Sequence, residues 1–334
     1  MNLKSIPSRD ISVVIQGPLH RGKPEGLERC LASIRTHLPE AEIIISTAET
    51  EDVTGLDSDV VVVVTPDPGC IEDVNGSRYN LNRQVRTTAS GLARASRPYA
   101  LKFRADHALE GSRICSLPAG ASADGPGPIT LTSLFVRNPE KYPVIYHASD
   151  VVMFGRTGDM REFWDDTLFE DGEVCFGEPS HPPFGSCWSY SRIRLVPEQA
   201  LTLRWLRRRG EVCDLGHPSD IDEAQLQHWG QCLVRHFTLL DWQTSGVSFP
   251  LRFSTNRYNH TVMTEADFAR VALEGFNNRK RRLNQYFGQY LTLRNAYALL
   301  SGVMLKHTPG LHRAMKNARD ACGPLKRYMK ARLA

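Results

Sequence analysis

Arg104, Asp106 and His107 close the stretch YALKFRADH, a short apolar run that ends in polar and charged side chains. A carboxylate directly after a buried strand can hold Mg²⁺ or Mn²⁺ on hard oxygen, and such a cation neutralises a leaving diphosphate. Asp106 meets that requirement, with His107 as a further metal ligand and Arg104 or Lys102 as added positive charge. An Asp in this place also simply starts a turn, where the residue is common.

Two more carboxylates are candidates for removing the proton of an attacking hydroxyl, or for anchoring the molecule that carries it. They are Asp150 in HASD, ahead of the β-like VVMFG, and Glu198 in VPEQ, where a helix opens and its dipole favours a carboxylate in any case. Asp159 in GRTGDM reads more simply as a helix cap before MREFW. His181, Trp188, Tyr190 and Arg192 lie in or after the Gly/Pro-rich FGEPSHPPFGS and offer aromatic faces and a cation to a sugar or anionic group, although Trp and Tyr fill cores as readily.

These groups need a frame. DISVVIQGP, from Asp10 to Pro18, reads as a buried strand and its loop. Leu27, Leu31, Ile34 and Leu38 then recur at helical spacing until Pro39, ahead of a second strand at Glu42 to Thr47. Val60 to Thr65 is a third strand, too uniformly apolar to leave one face in water. A polar loop leads into the helical LNRQVRTTASGLARA and a fourth strand from Tyr99 to Phe103.

Such alternation predicts an α/β fold with a mainly parallel sheet flanked by helices, whose ligands sit at the carboxyl ends of the strands. Those ends are Gln16-Gly17-Pro18, Ser46-Thr47, Thr65-Pro66-Asp67 and Arg104-Ala105-Asp106. Asn80, Asn82, Arg83 and Gln84 open the helix before the fourth strand, where free N–H groups and the helix dipole favour a diphosphate. An Arg there can equally lie on a solvated face.

Further along, a strand is expected near Ile129 to Val136, short strands with Gly/Pro-rich connections over Pro139 to Ser191, and a helix entered at Pro197 with Gly210 after its end. Leu283, Phe287, Tyr290, Leu293, Tyr297, Leu300 and Met304 form a stripe at helical spacing, which predicts a helical C-terminal extension up to a break at Thr308-Pro309-Gly310. No internal repeat is visible.

Composition narrows the class. With 334 residues, 41% of them hydrophobic and 23% charged, the chain reads as a soluble globular protein. The opening residues carry no export signal, and the runs VVVVV and AYALLSGVML fall short of the ~20 residues that span a bilayer, so a cytoplasmic protein is expected. Eight cysteines without C-x-x-C or zinc-finger spacing predict reduced thiols, with neither disulfides nor structural zinc.

The net charge of +4 is unevenly placed: from Lys306 onward eight Lys/Arg face one acid, Asp320, a tail of +7 that leaves −3 for the rest. This balance argues against a general nucleic-acid binder. Leu311, Met315, Leu325, Met329 and Leu333 lie among those basic residues, which suits interfacial helices on the anionic inner face of a cell membrane, at roughly 1 kcal/mol per basic group. A solvated helical tail is the alternative.

Several separated motifs agree in order with one family. SVVIQGP, IRTHLPEAEIIIST, DPG and NLNRQVRTTASGLARASRPYALKFRADH, followed by HASDVVMFGRTGDM and VPEQ, resemble the WavE-type lipopolysaccharide-synthesis family over roughly residues 10 to 210. That family is similar in layout to GT-A nucleotide-sugar transferases, whose fourth strand ends in a DxD metal motif. Here, as in the family, the form is R-x-D, with Arg104 in the first acidic place, where it can itself screen phosphate charge.

The resemblance implies a GT-A-like, Rossmann-type glycosyltransferase that moves a sugar from a nucleotide-sugar donor to a glycan or lipid-linked acceptor of the cell envelope. It implies a divalent metal on Asp106 and His107, with His260 in RYNH as a more distant ligand whose structural role is the stronger reading. Gln16, Gly17 and Pro18 would shape the floor under the nucleotide, and Asp67 would meet base or ribose unless it only serves its Pro-Asp-Pro-Gly turn. Asn80, Asn82 and Arg83 match the helix start that precedes the metal strand in that fold.

The expected organisation is a transferase domain over 1–250, with a nucleotide-sugar half at about 10–110 and an acceptor half at about 111–250, then a helical extension over 251–305 and a basic amphipathic tail over 306–334. Two other readings stay open. A sugar-phosphate nucleotidyltransferase would carry a glycine-rich basic loop after strand one, of which QGPLHRGKPEG is a weak version. A non-catalytic, membrane-tethered assembly factor would need the tail and not Asp106.

Overall fold

The computed structural model describes residues 2–73, 76–119, 126–180, 191–219, 221–256, 258–276, 300, 303–304 and 307–321. Seven strands form one sheet: β1 Ile11–Gln16, β2 Glu42–Ala48, β3 Val60–Thr65, β4 Tyr99–Arg104, β5 Ile129–Thr132, β6 Met153–Arg156 and β7 Phe237–Leu240. Their spatial order is β7-β5-β6-β4-β1-β2-β3. All are parallel except β6, which runs against both its neighbours.

Helices cover both faces because successive side chains of a strand point to opposite sides. Val13 and Ile15 of β1 pack with Leu27, Cys30 and Ile34 of α1 (Leu27–His37). Val14 joins Val85 and Leu92 of α2 (Leu81–Arg94) in the other core layer. A Cβ on Gly91 would stand 2.4 Å from Val14 Cγ1 and 2.9 Å from Ser46 Cβ, so only glycine lets α2 lie this close to β1 and β2.

Two expectations about strands need correction. β3 is the edge of the sheet, and Val62 and Val64 are 38% and 48% exposed, so its run of valines does leave one face in water. The strand expected at Ile129 to Val136 stops at Thr132, where the chain turns: Val136 N–H donates to Ser133 O at 3.0 Å and Phe135 takes a φ of +69°.

Helix α3 spans Thr157–Phe163, and α4, Pro197–Arg208, has proline in its first turn and Gly210 at φ +80° beyond its end, as the sequence predicts. Helix α5 is Glu223–His236, α6 Leu251–Ser254, α7 Glu265–Glu274 and α8 Pro309–Ala321. Residues 111–250 supply β5, β6 and β7, so both expected halves share one sheet. Phe268, Val271 and Phe276 lie in the same core as Trp229 and Phe237, which makes 258–276 part of the main body.

The apolar stripe from Leu283 to Tyr297 and the tail from Cys322 onward fall outside the described residues. Thr308-Pro309-Gly310, expected as a break, is where α8 begins with proline in its first position. No helix of the described residues is long and apolar enough to cross a membrane.

Candidate functional site

The carboxyl ends of β1, β2 and β3 and the start of α2 enclose a cleft of about 430 Å³. Ten residues expected at the strand ends or the helix start line it: Gln16, Gly17, Pro18, Thr47, Thr65, Asp67, Asn80, Arg83, Gln84 and Arg104. Strand order turns between β1 and β4, the place where ligands of open α/β sheets bind. Gly17 has a φ of +88°, a left-handed turn that carries the chain off β1, and its carbonyl accepts from Thr47 Oγ1 at 2.9 Å.

Sequence reasoning missed Thr87 on the same wall. Thr87 Oγ1 donates to Gln16 Oε1 at 3.1 Å, which fixes the amide at the floor. Only the packing of α2 against β1 brings Thr87 to the strand ends, so no local pattern marks it.

Arg83 is not free at the helix start. Its Nε and Nη2 donate to the two oxygens of Asp67 at 2.8 and 2.7 Å, and Nη1 donates to Asn80 Oδ1 at 2.9 Å. The Arg83 bonds, helped by the Gly69 N–H, hold the Asp67 carboxyl below its usual range. Asp67 and Arg83 thus act as one planar, half-exposed pair at the cleft rim.

Asn82 faces the other way. Its amide donates to Phe169 O at 2.9 Å and accepts from Phe169 N at 2.8 Å, a buried strut that does not line the cleft. Lys102 also leaves the strand end: fully buried, it donates to the carbonyls of Asp150 and Val151 and lies 5.0 Å from the Trp164 ring. Burial lowers its ammonium to about 7, and with Nζ held by these carbonyls it fixes the HASD segment and does not line the cleft.

Asp106 is 2% exposed. Its Oδ1 accepts from Arg104 Nε at 3.0 Å and His107 Nδ1 at 2.7 Å; its Oδ2 accepts from Arg104 Nη2 at 3.2 Å and from Arg252 Nη2. Burial alone would raise its carboxyl, but the bonds from His107 and Arg104 override burial and hold it far below the carboxylate range. A carboxylate offers about four lone-pair sites, and all are taken.

His107 cannot help a metal through Nδ1, which is spent on Asp106, and burial lowers the ring to about 4, so it is neutral. Its ring centre lies 5.7 Å from that of Phe103, 5.2 Å from that of Phe249 and 5.7 Å from that of Phe253, and Nε2 is buried with no hydrogen-bond partner. The expected Mg²⁺ or Mn²⁺ on Asp106 and His107 does not fit this arrangement.

A second hollow of about 250 Å³ includes Arg137, Tyr142, His147, Glu198 and Tyr258. Burial and then the charge of Asp150 push the Glu198 carboxyl up to about 8. His147 Nε2 is 3.7 Å from Glu198 Oε2, and burial, aided by Arg137, lowers His147 to about 3, so it stays neutral. Asp150 Oδ2 accepts from Gln84 Nε2 at 2.7 Å; Gln84 lines the first cleft, and the Asp150 charge is felt at Glu198 in the second hollow.

The remaining candidates disperse. Asp159 sits inside the first turn of α3, where it bonds Gly127 N–H at 3.0 Å and Arg209 at 2.7 Å, and does not cap the helix. His260 is exposed in a turn beside Tyr258. Arg192 lies in the short strand Ser191–Ile193, whereas His181, Trp188 and Tyr190 are outside the described residues.

Cysteines 30, 115, 175, 213 and 232 are free and buried and Cys70 is half-buried; Cys187 and Cys322 are outside the described residues. Among the described residues one group has the spacing of metal ligands: Glu211, His228 and Cys232, whose ligand atoms lie within 4.8 Å of one another. Tyr146 OH holds His228 Nδ1 at 2.9 Å, and Glu211 also accepts from Arg235 at 2.6 Å. The i, i+4 spacing of His228 and Cys232 on α5 is the signal sequence reading passed over.

A family model described as WavE lipopolysaccharide synthesis matches residues 11–299. No curated protein gives a match.

Proposed function

The chain belongs to the WavE lipopolysaccharide synthesis family, and we propose that within it the protein is a GT-A-like glycosyltransferase moving a sugar from a nucleotide-sugar donor to a cell-envelope glycan. The observation that carries this reading is the pair of hollows coupled by Asp150, which bonds Gln84 of the first and acts by its charge on Glu198 of the second. One suits a nucleotide at the strand ends; the other holds a carboxyl whose proton affinity lies near neutral pH. The order β3-β2-β1-β4 is that of a nucleotide-binding half, which supports a donor there.

In this reading Gln16, Gly17 and Pro18 lie under the nucleotide, and the Asp67–Arg83 pair with Asn80 meets its base or ribose. The acceptor enters beside Tyr142, Tyr258 and Arg137. Its hydroxyl oxygen forms a bond to the anomeric carbon while the bond from that carbon to the diphosphate breaks, and the electron pair leaves with the nucleoside diphosphate. The hydroxyl proton passes to Glu198, which Asp150 keeps basic by its charge. The basic tail would hold the enzyme at an anionic membrane surface, where a lipid-linked acceptor lies.

Phosphorus NMR on the full chain with a panel of sugar nucleotides and an envelope-glycan fraction tests the reading. Release of nucleoside diphosphate is expected, slowed about 10²- to 10⁴-fold in Glu198→Gln. Pyrophosphate would point to a nucleotidyltransferase, and no turnover to a non-catalytic assembly factor.

A further inference from the structure

Arg252 reaches the strand-end carboxylate from 146 residues away in the sequence. It lies on α6 and is 52% exposed, whereas Arg104 beside it is 27% exposed and lines the cleft. Both guanidinium groups bond the same oxygen of Asp106, so they lie side by side. Phe253 supports them from below, its ring 5.6 Å from the Arg104 and 4.7 Å from the Arg252 guanidinium carbon.

The backbone fixes this meeting. Val247–Ser248 pairs antiparallel with Ala108–Leu109, the residues directly after His107. The Glu110 and Gly111 N–H groups both donate to Gly246 O, at 2.8 and 3.1 Å. Gly246 has a φ of +79°, and a Cβ there would stand 2.8 Å from Gly111 O, so the turn that delivers α6 is closed by glycine on glycine.

Charge at this place is then settled by what the groups are. Two guanidinium groups outweigh one carboxylate, and the buried His107 ring is neutral. A divalent cation approaching Asp106 would have to break four hydrogen bonds and stand next to two fixed cations. An anion meets the opposite field. Each guanidinium carries five N–H donors, of which Arg104 spends two on Asp106 and Arg252 one, which leaves forks suited to phosphate oxygens.

We propose that Arg104 and Arg252, mounted on Asp106 as a positioning residue, bind the diphosphate of the donor, so that transfer proceeds without a divalent cation on the strand-end carboxylate. The inference rests on the transferase reading and specifies its leaving-group site. As the bond between anomeric carbon and diphosphate oxygen breaks, the electron pair stays on the diphosphate, and the two guanidinium groups meet that added charge.

Calorimetric titration of the full chain with inorganic pyrophosphate, UDP, GDP and CDP, each in EDTA and again in Mn²⁺, tests it. Pyrophosphate and at least one nucleoside diphosphate are expected to bind in EDTA, within about threefold of the affinity in Mn²⁺, and Arg252→Gln to weaken both at least about tenfold with Arg252→Lys intermediate. As Arg252 is half exposed, a retained melting temperature in its variants is expected and separates lost binding from lost folding. Asp106→Asn is expected to weaken pyrophosphate binding equally in EDTA and in Mn²⁺, whereas loss of a metal ligand would weaken it in Mn²⁺ alone.

Binding that appears only with Mn²⁺, or that Arg252→Gln leaves intact, overturns the inference and spares the transferase reading. Pyrophosphate binding in EDTA without any nucleotide keeps the anion site and sinks the transferase reading. If none of the four binds under either condition, both fall.

Discussion

Among single residues Glu198 makes the sharpest demands. Its carboxyl titrates near 8, so as the base it is largely protonated at pH 7, and turnover should rise with pH and level off above about 8. Asp150→Asn removes the charge that helps hold the proton, so the rising limb should move to lower pH in a pH-rate profile. Stability has its own sign: the folded state keeps this proton at pH values where the unfolded chain, with an ordinary Glu near 4.5, has lost it. The contribution of Glu198 is therefore present below about 4.5 and lost as pH rises to about 8, and chemical denaturation from pH 5 to 9 should show a shallower decline for Glu198→Gln. The sequence marked Glu198 and Asp150 as carboxylates at element starts, but their coupling depends on α4 lying against the HASD segment, which no local pattern encodes. Arg252 was invisible for the same reason: nothing in PLRFST signals that it will meet Asp106.

At the level of elements, the strand ends were the legible part. Continuous apolar runs and the Gly17, Pro39 and Pro66 stops placed β1 to β4 and so brought ten of the expected residues into one cleft. β3 misled because valine favours strands whether or not both faces are covered, and only the sheet order reveals an edge. Asn82 misled because a helix start offers three directions, and this one faces Phe169. The packing of α2 depends on Gly91, whose added methyl would meet Val14 at 2.4 Å. Gly91→Ala should cost about 1–3 kcal/mol in urea unfolding and weaken nucleotide binding as α2 shifts with Arg83, Gln84 and Thr87. A stability unchanged by this substitution would mean that α2 can move off the sheet freely, contrary to the account.

Over the whole molecule charge is divided: a tail of +7 follows a body of −3. Helix α8 carries the first half of that tail, with Leu311 and Met315 about half exposed beside basic residues. Vesicles rich in phosphatidylglycerol should co-sediment the full chain at low salt and release it at about 1 M salt, where charges are screened beyond about 3 Å. Equal binding to neutral vesicles would remove the electrostatic tether. In the body, the strand-end cleft is where the donor binds in this reading. Hydrogen–deuterium exchange with and without a panel of nucleotide sugars tests it most directly: a bound donor is predicted to slow exchange at residues 16–18, 65–69 and 80–87, while residues 203–214 on the far end of α4 stay unchanged. Absence of protection with every donor, or protection confined to residues away from those three segments, would contradict it.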